Sequence, residues 1–402
     1  MREKTEIILF NSNSMQFIGG GEFTTRMLYD GLKKKGYSLH IAVPRSSDGL
    51  STTQYLQSNN NKKYIAENRE FLTFNGVFSF LYRPLPSLQS FSRDGINLVF
   101  VSRIPPRRYL IKLENSGIKV VFLLHGIAIE KIRFNNLKVT FYQIFLRIKF
   151  RTMLSSVRTS SNLYLQVLNG RISDYITKKR VPSTKVFLIP TGLPVDEYLI
   201  EKNDEDFIIL YMGRINDTQK NASLFIHFAR RILSRNVRMV KVIMVGPIED
   251  QSMANHISDL HEEYPTRFSY LGVVDEDVKI NLLRKCSLFI STSHLEPYSL
   301  SVVEALSSGI PVLTTPASGP SFILSFDRNF GKISSFNIKD LVREAEHYMA
   351  QWEKNPSSFY KMRESIRASA LEHFKFEHMI TCYSDMIDKI SKSDHSDKER
   401  VI

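Results

Sequence analysis

The segment Ser293-His294-Leu295-Glu296-Pro297-Tyr298-Ser299-Leu300-Ser301-Val302-Val303-Glu304 holds two carboxylates separated by seven residues. It follows an apolar, strand-like run and takes a helical pattern from about Leu300. A helix start offers backbone N–H groups to an anion, and Glu296 and Glu304 can each accept hydrogen bonds from hydroxyls. Two carboxylates flanking such a start suit a sugar and a ribose. They also read as a capping Glu and a surface Glu, with Val302, Val303 and Leu306 turned into the core. Gly213-Arg214, with Lys220 six residues beyond Arg214, puts two cations at the carboxyl end of the strand-like run Phe207–Met212. A planar guanidinium and a mobile ammonium together can neutralise a diphosphate, although such a pair taken alone reads better as a solvated basic loop.

Three further features bear on chemistry. Gly19-Gly20-Gly21-Glu22 opens a helix after the first strand-like run, where a backbone without Cβ atoms can approach a polyanion. A glycine triplet is equally a flexible turn, and it lacks the GxGxxG spacing. His125 follows another apolar run, a place for a core histidine as much as a functional one. Asp275-Glu276-Asp277 precedes a helical pattern and reads as capping rather than as a metal site.

The elements that must position these residues alternate: Ile7–Phe10, Leu39–Val43, Leu98–Ser102 and Val120–Leu124 as strands, with an amphipathic helix over Glu22–Lys35. That rhythm predicts parallel strands with crossover helices. Residues 47–95 give no clear period. The rhythm restarts at Phe207–Met212 after the polar stretch 201–206 and continues through Val240–Val245, Phe268–Leu271, Leu288–Ser291 and Pro311–Thr314. The expectation is an N-terminal α/β domain over 1–200, a second over 201–375, a C-terminal helix over 376–392 packing back on the first, and a flexible tail over 393–402. Ligands of such sheets bind outside the carboxyl ends of the strands.

With 402 residues, 43% hydrophobic and 24% charged, the chain has the composition of a folded protein of two or more cores. Two cysteines, Cys286 and Cys382, have no metal-ligand or redox spacing. No stretch approaches the roughly 20 apolar residues of a membrane-spanning helix, and Ile7–Phe10 is too short for a signal-peptide core. The expectation is a cytoplasmic protein, with a peripheral place on the inner membrane face left open. The net charge of +13 is uneven: residues 1–200 carry 29 Lys/Arg against 13 Asp/Glu, residues 201–402 carry 25 against 28. The first half therefore expects an anionic partner. Within it, residues 131–158 hold seven Lys/Arg and no acid among regularly placed apolar residues. This fits a helix lying on an anionic membrane and, equally, a core helix with basic edges.

The stretch Ser293–Val312 resembles the signature of family 4 of the retaining glycosyltransferases, whose two glutamates match Glu296 and Glu304. The chain follows the family's order: Gly19-Gly20-Gly21-Glu22, His125-Gly126, Ile189-Pro190-Thr191-Gly192, Gly213-Arg214 with Lys220, Val245-Gly246 and Leu271-Gly272-Val273. The resemblance implies an α/β fold of the GT-B type, two Rossmann-like domains facing each other across a central cleft. It implies that Arg214 and Lys220 bind a donor diphosphate, Glu304 the ribose and Glu296 the transferred sugar. Gly20, Gly21, Gly213, Tyr298, Ser299, Leu300 and Ser301 would approach the donor, Val273 would lie beside the base, and His125 would face the reacting sugar. The donor would be a nucleoside-diphosphate sugar, UDP- or GDP-linked, with no metal and no permanently bound cofactor. The acceptor would be a glycan or lipid-linked molecule. Three positions depart from the family: Ser299 where Gly is usual, Thr191 where Asn is common, and Asn221 where Gly often follows the lysine. If the loop needs a positive φ, the Cβ of Ser299 opposes it.

Two other readings carry different expectations. A nucleotide-sugar epimerase or sugar phosphorylase shares such an architecture, and a phosphorylase would need a pyridoxal-phosphate lysine. A non-catalytic basic module would bind lipid or nucleic acid through the first half, but no nucleic-acid motif is present, so no specific nucleic-acid partner is expected.

Overall fold

The computed structural model describes residues 6–10, 20–44, 71–74, 77–79, 82–85, 96–102, 104–105, 107–125, 137–195, 198–202, 205–235 and 239–398. Gly19, Arg103, Gly126 and residues 131–136 lie outside them.

The chain forms two compact units. In the first, β1 (Glu6–Phe10), β2 (Ser38–Pro44), β3 (Phe71–Phe74), β6 (Ile96–Val101), β7 (Lys119–Leu123), β8 (Leu163–Val167) and β9 (Val186–Leu188) form a parallel sheet in the order β3-β2-β1-β6-β7-β8-β9. β4 (Val77–Ser79) and β5 (Tyr82–Leu85) pair separately as an antiparallel ribbon. Every residue of β7 and β8 is buried, as expected of central parallel strands covered on both faces. β8 escaped the sequence reading because Gln166 interrupts its apolar run.

The second unit begins at Pro190, not at residue 201, and runs to His378. The segment before β10 belongs to it because Leu193 bridges Lys375 and the Arg367 guanidinium donates to the Tyr198 carbonyl. Its parallel sheet contains β10 (Phe207–Met212), β11 (Val240–Val245), β12 (Phe268–Tyr270), β13 (Leu288–Ser291), β14 (Val312–Thr314) and β15 (Gly331–Ile333), ordered β12-β11-β10-β13-β14-β15. The core gathers Phe207, Trp352 and Phe359, with the Phe207 ring 5.8 Å from Trp352 and 6.1 Å from Phe359. Successive strands run outward from β10 in one direction and from β13 in the other. The space above the β10/β13 junction is the switch point at which doubly wound sheets take ligands.

The helix Phe376–Lys398 continues past the expected end at residue 392 into the stretch expected as a flexible tail, since its last turns hold no Pro or Gly to stop it. From Met379 it is part of the first unit. Tyr383 meets Phe100 of β6 edge-on, Ser384 hydrogen-bonds Tyr37, and Lys119 donates to the Ile390 carbonyl.

Candidate functional site

At the junction, the ends of three strands are drawn together by backbone. The Gly213 N–H donates to the Val245 carbonyl and the Gly246 N–H to the Gly272 carbonyl. Gly246 has φ 134°, and a Cβ there would collide with the Gly213 carbonyl, so the loops after β10 and β11 can approach only without a side chain.

Arg214 follows at the surface, its side chain half exposed, with Nη1 3.2 Å from Glu249 Oε1 and Nη2 donating to Gln219. Asn216 folds the loop back: its Oδ1 accepts the backbone N–H groups of Gln219 and Lys220, and its Nδ2 donates to Glu249 Oε2 at 2.6 Å. Asn221 then turns the chain into the helix Ala222–Leu233 at φ 52°, ψ 51°, the left-handed region that Asn enters more readily than most residues. Thr292 Oγ1 lies 3.0 Å from both the Lys220 and Asn221 carbonyls and fixes this turn against the loop after β13.

On that loop Glu296 is buried and ion-paired with Lys220 through Oε2. Its Oε1 accepts no hydrogen bond from the described residues, which leaves it for a ligand hydroxyl. Tyr298 is also buried, donating to the Thr191 carbonyl at 2.7 Å. Ser299 sits at φ 98°, ψ 89°. The positive φ opposed by its Cβ is therefore required. Its Oγ meets Ser301 Oγ at 3.2 Å and does not cap the helix Leu300–Ser307, so the first-turn N–H groups beginning at Leu300 remain for an anion. Ser299→Gly is expected to stabilise the protein by roughly 1 kcal/mol by removing this strain. Thermal unfolding checks it, and a lower melting temperature would refute the strain.

Further along the same helix, Glu304 is buried and takes two donors on one oxygen: Lys279 Nζ at 2.6 Å and Tyr198 Oη at 3.5 Å, both to Oε1. Lys279 also lies 2.7 Å from Glu276 Oε1. Burial disfavours the Lys279 ammonium, but Glu304 and Glu276 outweigh it and hold its pKa above the usual lysine range. Asp275 caps the helix Glu276–Lys285 through the Val278 N–H. The loop before it places Gly272 at φ 65° and leaves Val273 73% exposed.

Sequence reasoning thus named Gly213, Arg214, Lys220, Glu296, Tyr298, Ser299, Leu300, Ser301 and Glu304, and the second unit gathers them at one sheet edge. It missed Asn216, Glu249, Tyr198 and Lys279. The i,i+3 spacing of Glu276 and Lys279 was visible but reads as an ordinary helix-surface pair.

In the first unit, Gly20 and Gly21 form the exposed start of the helix Gly20–Lys34, where Thr24 and Thr25 donate to their carbonyls. His125 follows β7, at the carboxyl edge of the first unit's own sheet, with Nε2 3.1 Å from Gln166 Oε1. The Gln166 amide nitrogen donates to the Ile189 and Val167 carbonyls, so its oxygen must face the ring. His125 therefore donates from Nε2, and the lone pair of its neutral form is on Nδ1. Burial lowers its pKa to about 4, the Gln166 bond opposing. The folded imidazole holds its proton less tightly than the unfolded one, so stability is expected to fall as pH drops from 6.5 toward 4. Histidine NMR titration checks this, and a midpoint near 6.5 would refute it.

The helix Leu137–Thr159 buries Phe150, Met153, Leu154 and Val157 and exposes Ile144, Arg147, Ile148, Arg151 and Arg158. Arg107, Arg108, Ile111 and Lys112 are exposed on the helix Arg107–Glu114. One segment thus combines a core face with a basic, partly apolar outer face. Among the described residues, no helix is long and apolar enough to cross a membrane.

Residues 199–371 match the family model described as Glycosyl transferases group 1. A probable sucrose-phosphate synthase of Thermosipho melanesiensis is 23% identical over 223 residues, 54% of this chain and 50% of that protein. This chain therefore spans about half of that relative's length. Among solved structures, the sucrose-phosphate synthase of Thermosynechococcus elongatus superimposes with a TM-score of 0.72 at 14% identity, covering 97% of this chain and 100% of that one. Anabaena HepE, in complex with UDP and glucose, gives 0.66 at 13% identity over 96% and 99%. The fold is that of the GT-B glycosyltransferases, two Rossmann-like α/β units. The segment similar to the group 1 glycosyl transferases lies within the second unit.

Proposed function

We propose that the protein is a retaining, metal-independent glycosyltransferase moving a sugar from a nucleoside-diphosphate donor, UDP- or GDP-linked, to a glycan or lipid-linked acceptor in cell-surface polysaccharide or glycoconjugate synthesis. The observation that carries this reading is the pairing, at one helix start, of cations and N–H groups with two buried carboxylates that each keep one oxygen unbonded among the described residues. A diphosphate meets Arg214, Lys220 and the N–H groups from Ser299 to Ser301, with Gly213 leaving room for its approach. Glu304 takes the ribose, Val273 lies along the base, and Glu296 takes hydroxyls of the transferred sugar. HepE, crystallised with UDP and glucose, supports the ligand class.

In the reaction, the bond between the anomeric carbon and the diphosphate oxygen breaks as the acceptor oxygen bonds to that carbon on the same face. The acceptor proton passes to the leaving diphosphate. Charge growing on that group is stabilised by cations and dipoles already in place. His125 accepts a hydroxyl hydrogen bond at Nδ1 and orients the sugar, and Gly20 and Gly21 admit the donor closely to backbone.

Calorimetric titration with UDP, GDP and ADP, with and without magnesium, tests the reading. One nucleotide is expected to bind without metal and to weaken by about tenfold or more in Arg214→Ala and Glu304→Ala, each of which removes a charged hydrogen-bonding partner. Binding unchanged in both variants would remove the donor site from this sheet edge. The basic outer face of Leu137–Thr159 supports a further part of the proposal, that the protein works at the inner membrane surface, where lipid-linked acceptors are held. Flotation with anionic but not neutral vesicles is the expected result, and no flotation with either would refute that assignment.

A further inference from the structure

We infer that Lys279 is a positioning residue for ribose recognition, pairing with Glu304 and presenting its second oxygen to the ribose hydroxyls. The inference rests on the proposal that Glu304 binds the ribose. Both Lys279 and Tyr198 donate to Oε1 of Glu304. Oε2 accepts nothing from the described residues and is not sealed away from solvent. Donors confined to one carboxylate oxygen fix the rotation of the group and leave the other for a ligand.

The charge balance of the site points the same way. A nucleoside diphosphate brings negative charge toward two buried carboxylates, each matched to a lysine: Glu296 to Lys220 and Glu304 to Lys279. The diphosphate competes with Glu296 for Lys220, which lies on the loop that receives it. A ribose is neutral and supplies no counter-charge to Glu304. A buried carboxylate without one is strongly disfavoured, so the ammonium on Glu304 has to remain in the bound state. Lys279 is placed to do so, since Glu276 on its own helix holds it from a second side at 2.7 Å.

The test is a chemical double-mutant cycle on the full chain, using UDP, GDP and their 2′,3′-dideoxy counterparts as calorimetric probes. In the wild type, removing the hydroxyls is expected to weaken binding by about tenfold or more, the loss typical of a hydrogen bond to a charged group. Glu304→Gln should largely erase this penalty. Lys279→Met should reduce it to within about twofold, while Lys279→Arg, which keeps the charge, should retain most of it. A merely structural role would weaken the parent and dideoxy nucleotides alike and leave their ratio unchanged. If Lys279→Met kept the full penalty while Glu304→Gln lost it, the inference would be overturned and the ribose reading would stand. If Glu304→Gln kept the penalty, or neither nucleotide bound the wild type, both would be overturned. Circular dichroism confirms the fold of each variant, with Lys279→Gln replacing Lys279→Met should the latter not remain folded.

Discussion

Lys220→Met is expected to slow sugar transfer by about 10²–10³-fold, the usual cost of deleting one preorganised group that stabilises charge developing on a leaving oxygen. The same change strands Glu296, whose side chain is only 10% exposed and whose ion-pair partner is Lys220. Removing one partner of a buried pair costs up to about 3–5 kcal/mol, so Lys220→Met is also expected to lower the melting temperature. The double variant Lys220→Met with Glu296→Gln separates the two effects. It should recover most of the stability, because no unpaired carboxylate remains, and none of the rate. Turnover with the sugar nucleotide whose base calorimetry selects, measured beside thermal unfolding, checks both. Wild-type turnover in Lys220→Met would exclude it from the leaving-group site, and a double variant no more stable than the single one would show that the pair is not what holds this loop.

The parts of this site readable from sequence are those whose signal is local. Strand ends appear as breaks in apolar runs, and Phe207–Met212, Val240–Val245 and Leu288–Ser291 fall where those runs predict. The spacing of Glu296 and Glu304 is local because one loop and the helix turn after it carry both. The departure at Ser299 posed a definite question, whether the loop needs a positive φ, and the answer is that it does. Contacts between distant segments left no such trace. Tyr198 reaches Glu304 across 106 positions and Thr292 reaches Lys220 across 72, and neither has a neighbour in sequence that marks it. Gln166 misled in the opposite direction. A glutamine inside an apolar run argues against a buried strand, yet its amide is fully buried and uses both ends, donating to the Ile189 carbonyl and accepting from His125. A polar group buried at a strand end with every bond satisfied is permitted by the same physics that makes it rare.

Arg363→Ala is expected to destabilise the protein by about 3–5 kcal/mol, through lost packing volume and newly orphaned buried carbonyls. Arg363 projects from the helix Pro356–His373 and is 1% exposed, its guanidinium 5.7 Å from the Tyr360 ring centre. Burial draws its pKa down to about 10, with Tyr360 opposing, so it stays charged at neutral pH. Its hydrogen bonds run to carbonyls: Nε donates to Gly309, and Nη2 to Ser308 and Arg284. Ser308 and Gly309 end the helix that carries Glu304, and Arg284 lies in the last turn of the helix that carries Lys279. Helix C-termini gather partial negative charge, and one buried cation satisfies two of them at once. Lysine has the charge without the fork and cannot span three carbonyls in this geometry, so Arg363→Lys should recover only part of the loss. Urea unfolding of both variants checks the order. An Arg363→Ala midpoint equal to wild type would mean that these two helix ends are held by packing alone.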